Sequence, residues 1–323
     1  MLSTSTAIQL TEPTIAHALL YREVEHCLVL TVVDAGELGL LGLLLDDLEF
    51  LDKFAFPCSL LQTADALTAA VRMLLCELKE QGVMYAEIRF APQLSTEKGL
   101  TQSEVVGAAA AGLADAPIPA QLILCCMRGA DEAVNRETVL TARQYLGKGV
   151  CALDIAGAEA LYPTDGYAEL FGLARRLRVP FTIHAGEAAG PDSVRTALAF
   201  GARRIGHGVR AGEDPVLIQE LARRRVPLEM CPTSNLCTCV LSDPAAYPLR
   251  AYMEAGVCVT VNTDDPSIEG TTLREEYRAM IDSLGLTRRE VDRLLHNAVR
   301  ASFAPRGLKL KMHKRIRETM RSN

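Results

Sequence analysis

Five residues of this 323-residue chain have the types and placement to do chemistry: His184, Glu187, His207, Asp264 and Asp265. Each stands at or just past the end of a short apolar run. Val179–Ile183 leads into His184-Ala-Gly-Glu187, Arg204–Ile205 into Gly206-His207-Gly208, and Val257–Asn262 into Thr263-Asp264-Asp265-Pro266. Imidazole and carboxylate are donors that a catalytic Zn2+ accepts. A free carboxylate beside such a metal can move protons, and a second imidazole can orient water. Taken singly, each has a plainer role. His184 could be a hydrogen-bonded core histidine, Glu187 an acid in a helix first turn, His207 a strand terminus, and Asp264-Asp265 before proline an N-cap. Their joint placement favours a metal or acid–base site.

The elements that position them repeat one theme from Tyr85 onward. A β-rich run ends in a polar or glycine signal, and a helical stretch follows. The runs are Tyr85–Pro92, Leu122–Arg128, Val150–Gly157, Pro180–Glu187, Arg204–Gly208, Pro227–Asn235 and Val257–Pro266. Near-continuous apolar runs are expected of parallel strands buried on both faces. Gly166–Arg178 and Pro215–Arg225 carry apolar residues at helical spacing, and residues 67–83 read as a further helix. Thr101-Gln-Ser-Glu104 and Thr287-Arg-Arg-Glu290 read as capping boxes.

Alternating units of this kind predict a parallel α/β sheet. A doubly wound sheet would carry a glycine-rich phosphate turn after an early strand, and no G-x-G-x-x-G is present. The expectation is a (β/α)8 TIM-type barrel whose working residues sit at the C-terminal strand ends. Its first strand would be His26–Val33, stopped by Asp34-Ala-Gly36. The whole chain, 1–323, reads as one barrel domain.

Composition narrows the function classes. The chain is 49% hydrophobic with a net charge of -6 and a pI near 5.6. It lacks the basic face of a general nucleic-acid binder. The basic tail from Lys309 to Arg321 reads as a solvated terminal helix. The ten cysteines show no paired C-x-x-C spacing and read as reduced, mostly buried thiols. Met1–Leu10 carries no secretory pattern, and Leu28–Val33 and Leu38–Leu45 are too short to span a membrane. A cytoplasmic enzyme with a small-molecule substrate, and neither nucleic acid nor membrane as partner, is the expectation. His17, His296 and His313 read as structural or surface residues.

Six stretches in order resemble the adenosine deaminase family, over about Phe50 to Ser302. They are Ala86-Glu-Ile-Arg-Phe-Ala-Pro92, Leu153-Asp-Ile-Ala-Gly-Ala-Glu159, Thr182-Ile-His-Ala-Gly-Glu187, Arg204-Ile-Gly-His-Gly208, Cys231-Pro-Thr-Ser-Asn235 and Asn262-Thr-Asp-Asp-Pro266. The resemblance implies one zinc ion held by His184 and Asp264. It implies that Glu187 protonates purine N1 and that His207 holds and helps deprotonate the attacking water. Asp265 would accept a hydrogen bond from the purine at N7 or from that water, and the Gly157 N–H would meet N3. The implied substrate is a purine nucleoside, adenosine and with it 2′-deoxyadenosine.

The chain departs from the family at its start. Members carry His-x-His at the end of the first strand, both imidazoles binding the metal. Here no His-x-His occurs anywhere: His26-Cys27-Leu28 offers one imidazole, and in the other register Leu30 and Val32 stand in place of the pair. Residues 1–47 do not follow the family pattern. Two readings follow, a zinc-dependent deaminase or a purine-nucleoside-binding relative with impaired or no turnover.

Overall fold

The computed structural model describes residues 58–321 and, upstream of them, the backbone of the two-residue strand Val33–Asp34. The strands are β1 (Val33–Asp34), β2 (Ala86–Phe90), β3 (Ala120–Met127), β4 (Val150–Ala156), β5 (Thr182–Ala185), β6 (Arg204–His207), β7 (Leu228–Met230) and β8 (Val259–Val261). They pair in chain order, all parallel, as β1-β2-β3-β4 and β5-β6-β7-β8. A parallel bridge, Leu153 to Phe181, joins the two halves, and the Leu153 N–H donates to Pro180 O at 2.9 Å.

Barrel closure shows most directly in charged side chains. Arg89 of β2 donates to Glu229 of β7 at 2.6 Å, and Arg204 of β6 donates to Glu87 of β2 at the same distance. These strands are not neighbours in either sheet, so the bonds cross the interior. The fold is therefore a (β/α)8 barrel. Its lower interior is not the usual branched aliphatic packing. It is an alternating chain of ions running Glu87–Arg204–Glu229–Arg89–Asp154, in which every side chain is at most 1% exposed. Buried charge is tolerable only when paired in this way.

The helices form for local reasons. The helix α1 (Ala64–Glu80) starts three residues before the predicted one because Thr63 caps it, accepting from the Ala66 N–H. Both predicted capping boxes are present, opening α2 (Gln102–Gly112) and α3 (Arg288–Ala301). The terminal helix α4 (Arg306–Arg321) buries only Met312 and Ile316.

Two predicted elements need correction. The run Pro227–Asn235 is not one strand: β7 stops at Met230, and a short helix covers Pro232–Cys237. Pro232 has no N–H for a ladder, and its fixed φ suits the first position of a helix. Of the predicted first strand His26–Val33, only Val33 lies among the described residues, and β1 continues through Asp34 rather than stopping before it. His17 and His26 lie outside the described residues. The cysteines are free thiols among the described residues, but Cys76, Cys237 and Cys239 are exposed rather than buried. No helix among the described residues is long and apolar enough to cross a membrane.

Candidate active site

The strand ends bring four of the predicted residues to one place. Donor atoms of His184, His207 and Asp264 all lie within 4.8 Å of one another. His207 Nε2 is 3.4 Å from Glu187 Oε2 and 3.7 Å from Asp264 Oδ2. His184 is the penultimate residue of β5, His207 closes β6, and Asp264 follows β8. His207 (φ 54°) and Asp264 (φ 70°) both adopt the left-handed conformation. That region is costly for a residue with a Cβ, and such strain concentrates at functional sites.

Two of the plainer roles, those of Glu187 and Asp265, do not match the structure. Glu187 is not in a helix first turn, since the next helix begins at Pro191 with Gly190 as its cap. Asp265 occupies the N-cap of Pro266–Glu269, yet its side chain makes no capping hydrogen bond. It stands instead in an acidic group with Asp264 and Glu269. Gly157 follows β4 with φ at 98°, and a Cβ there would meet nothing closer than 3.5 Å. Conformation, not crowding, is what requires glycine at this position.

Each imidazole is oriented by a defined partner. His184 Nδ1 lies 2.7 Å from Asp154 Oδ2. This carboxylate is fully buried and held down at about pKa 2, because Arg89 and His184 outweigh the burial that opposes ionisation. A carboxylate on Nδ1 leaves Nε2 as the lone-pair nitrogen of a neutral ring. Arg89 Nη1 sits 3.2 Å from Nδ1 and 3.0 Å from Nε2. Both distances are within hydrogen-bond reach, so the guanidinium contacts the ring as well as the Asp154 carboxylate.

On the other side of the site, Tyr247 OH donates to Asn235 Oδ1 at 2.9 Å. That turns Asn235 Nδ2 toward His207 Nδ1 at 3.2 Å and Glu187 Oε1 at 3.4 Å. The other ring nitrogen of His207, Nε2, faces Glu187 and Asp264. Ser234 donates to Asp264 Oδ2 at 2.7 Å.

The donor set fits a zinc-type ion. The Asp154–His184 contact is the carboxylate–histidine pairing that orients metal-binding imidazoles. Asp264 Oδ1 is buried with no hydrogen-bond partner among the described residues, an atom that a cation would satisfy. Burial opposes ionisation of Asp264, but His207, His184 and the Ser234 hydrogen bond outweigh it and lower its pKa. Glu187 goes the other way: burial raises it, assisted by Asp264 and Glu159 and opposed by the histidines. The two neighbouring carboxyls are thus pushed in opposite directions.

Comparison with known proteins agrees with this geometry. Residues 44–319 match the adenosine deaminase family. The chain belongs to that family. It is 48% identical over 264 residues to the adenosine deaminase of Haemophilus ducreyi, covering 79% of this chain and 77% of that protein. It is 36% identical over 259 residues to the enzyme of the same name from Enterococcus faecalis, with the same coverage. Among solved structures, the adenine deaminase of Arthrobacter aurescens superposes with a TM-score of 0.78 at 25% identity, covering 96% of this chain and 95% of that one. The N6-methyl-AMP deaminase of Arabidopsis thaliana shares the fold, with a TM-score of 0.81 at 21% identity over 92% of this chain and 98% of that one. The family match begins at residue 44, beyond most of the segment that departs from the family pattern.

Sequence reasoning gave no role to Asp154, Ser234, Asn235 or Arg89. All four sit inside stretches that carry the family resemblance. Their signal was a polar residue embedded in, or closing, an apolar run.

Proposed function

We propose that this chain is a zinc-dependent hydrolase that deaminates adenosine, and 2′-deoxyadenosine, to inosine and ammonia. The reading rests on one observation above others: His184, His207 and Asp264 converge within 4.8 Å, with Glu187 3.4 Å from His207. His184 Nε2 and Asp264 would hold the zinc, which when bound supplies the Lewis acidity that makes water a nucleophile at neutral pH.

The chain's own residues do the rest. Glu187, whose pKa burial raises, donates its proton to purine N1 and withdraws electrons from C6. His207, turned by Asn235, takes a proton from the water that forms the new C6–O bond. Asp265 accepts a hydrogen bond from the purine at N7, and the Gly157 N–H meets N3. The C6–N bond breaks, and the amino group departs as ammonia once it has gained a proton.

One sequence observation favours a second reading. With no His-x-His pair in the chain, two imidazoles that family members supply to the metal are missing. A nucleoside-binding protein without turnover would keep Gly157 and Asp265 and use neither Glu187 nor His207 chemically. Ammonia release from adenosine, measured beside equilibrium binding of adenosine, separates the two. Stoichiometric ammonia and inosine support the enzyme; adenosine binding without ammonia refutes it.

A further inference from the structure

The loop that carries Glu187 belongs to no regular element. It runs from the end of β5 at Ala185 to the helix starting at Pro191. Its backbone is nevertheless held on both sides. The N–H groups of Gly186, Glu187, Ala188 and Ala189 all donate to the carboxylate of Glu159, at 2.8, 3.1, 3.0 and 2.9 Å. Ser193 Oγ donates to the same carboxylate. On the carbonyl side, the Arg210 N–H donates to Gly186 O at 2.9 Å, and the Arg210 guanidinium donates to Ala188 O.

Consecutive backbone N–H groups converge on one point only where the chain curls into a concave nest, and such nests bind anions. Here the anion is internal. Glu159 is 3% exposed, and its two oxygens accept five donors. An ionised carboxylate can do this because it only accepts, and it offers about four lone-pair sites. Gly186 helps form the curl with φ at 74°, and a Cβ there would lie 2.5 Å from Val194.

A second ring of bonds fixes the carboxylate itself. Ser193 Oγ is 2.7 Å from Thr164 Oγ1, which accepts from Arg128 at 2.9 Å. Arg128 also donates to the backbone carbonyl of His184 at 2.8 Å. The network therefore encloses the segment from His184 to Ala189. It springs from the loop after β4, two residues beyond Gly157.

We infer that Glu159 is a positioning residue that sets where the Glu187 carboxyl stands, acting through the backbone of residues 186–189. This rests on the reading of Glu187 as the proton donor. Among the described residues, none of the hydrogen bonds of Glu159 goes to the side chain of His184, His207 or Asp264. Besides the rise that its charge adds to the Glu187 pKa, its effect is on the aim of Glu187: misplacement of a reacting group by about 1 Å can cost about 10²-fold in rate.

The test is Glu159→Gln in the full chain. A carboxamide must point its NH2 at donors on one side, so at least one amide of the nest loses its acceptor. Hydrogen exchange would be read at residues 186–189 and across the barrel strands. The expected result is exchange about tenfold faster at 186–189, the loss of roughly one hydrogen bond, with the strands unchanged. Turnover per adenosine-binding site, counted by stoichiometric titration, falls by about 10–10²-fold while the adenosine Kd holds. Counting sites removes any effect of a partly unfolded sample.

Unchanged exchange at 186–189, or unchanged turnover per site, overturns the inference. Ser193→Ala guards against a Gln variant that does not fold. It removes one donor from Glu159 and should raise exchange at Gly186–Ala189 and lower turnover in the same direction; no change in either overturns the inference equally. If the parent chain releases no ammonia, the proposed function fails, while exchange at 186–189 still tests the clamp.

Discussion

Asp154 grips His184 at two points: its Oδ2 lies 2.7 Å from His184 Nδ1, and its Oδ1 accepts the His184 backbone N–H at 3.2 Å. One carboxylate thereby fixes both where the residue stands and how its ring is turned. Its own position is set by Arg89, whose Nη1 is 3.0 Å away. Asp154→Asn keeps the shape but places an amide where the charge was. Loss of such an orienting partner typically costs about 10–100-fold in metal affinity. Competition against a chromophoric chelator measures it, and an affinity equal to the parent's would remove Asp154 from the account.

Glu187→Gln tests the proton donor. The amide can occupy the same volume but cannot protonate N1. Turnover should fall by about 10²–10⁴-fold, with the adenosine Kd nearly unchanged. A variant that retains a tenth or more of the parent rate would show that protonation comes from elsewhere.

Tyr247 is buried and holds Asn235 by a 2.9 Å bond, and Asn235 in turn faces both His207 and Glu187. Tyr247→Phe removes only the hydroxyl. Asn235 Oδ1 then loses its donor, and the amide is free to turn away from His207. A hydrogen bond of this kind is worth about 1 kcal/mol, so turnover should drop about fivefold to tenfold, with little effect on the thermal midpoint. Turnover equal to the parent's would mean that Asn235 is oriented without Tyr247.

Glu276 gives the protein a pH signature. Burial, helped by Asp264, raises its pKa to about 7, although Thr233 and Thr271 pull the other way by hydrogen bonding. The folded state therefore keeps a proton that the unfolded chain releases at its ordinary value of 4.5. Below that value both states are protonated and Glu276 has no effect. Between about 4.5 and about 7 stability falls as pH rises, and above about 7 the whole penalty, on the order of 3 kcal/mol, is present. Glu276→Gln can still accept from the Thr233 N–H while its NH2 faces the Thr271 hydroxyl, so it should flatten this slope. Urea unfolding at pH 5 and pH 8 checks it: the variant should gain on the parent at the higher pH, and an equal difference at both values contradicts the shift.

Local pattern made the barrel legible, and long-range pairing hid the rest. Apolar runs such as Val150–Ala156, buried at every position, announce parallel strands. His184, His207 and Asp264 stand out because each interrupts or closes such a run. Arg89 and Glu229 also interrupt such runs, but their partnership does not show, since they are separated by 140 positions and meet only when the barrel closes. The Glu159 clamp was equally invisible, because its partners are backbone amides that carry no residue signature. Pro227–Asn235 read as a single strand because its apolar content continues past the proline that turns it into a helix. The lack of His-x-His was plain from the sequence, and it makes metal dependence the point to test.

The most direct measurement is adenosine turnover by the metal-stripped chain as zinc is added back, followed by the absorbance change from adenosine to inosine. No turnover is expected without metal, and recovery in proportion to zinc should saturate near one equivalent per chain. Turnover that persists in the stripped protein, or adenosine binding with no turnover at saturating zinc, would contradict this expectation.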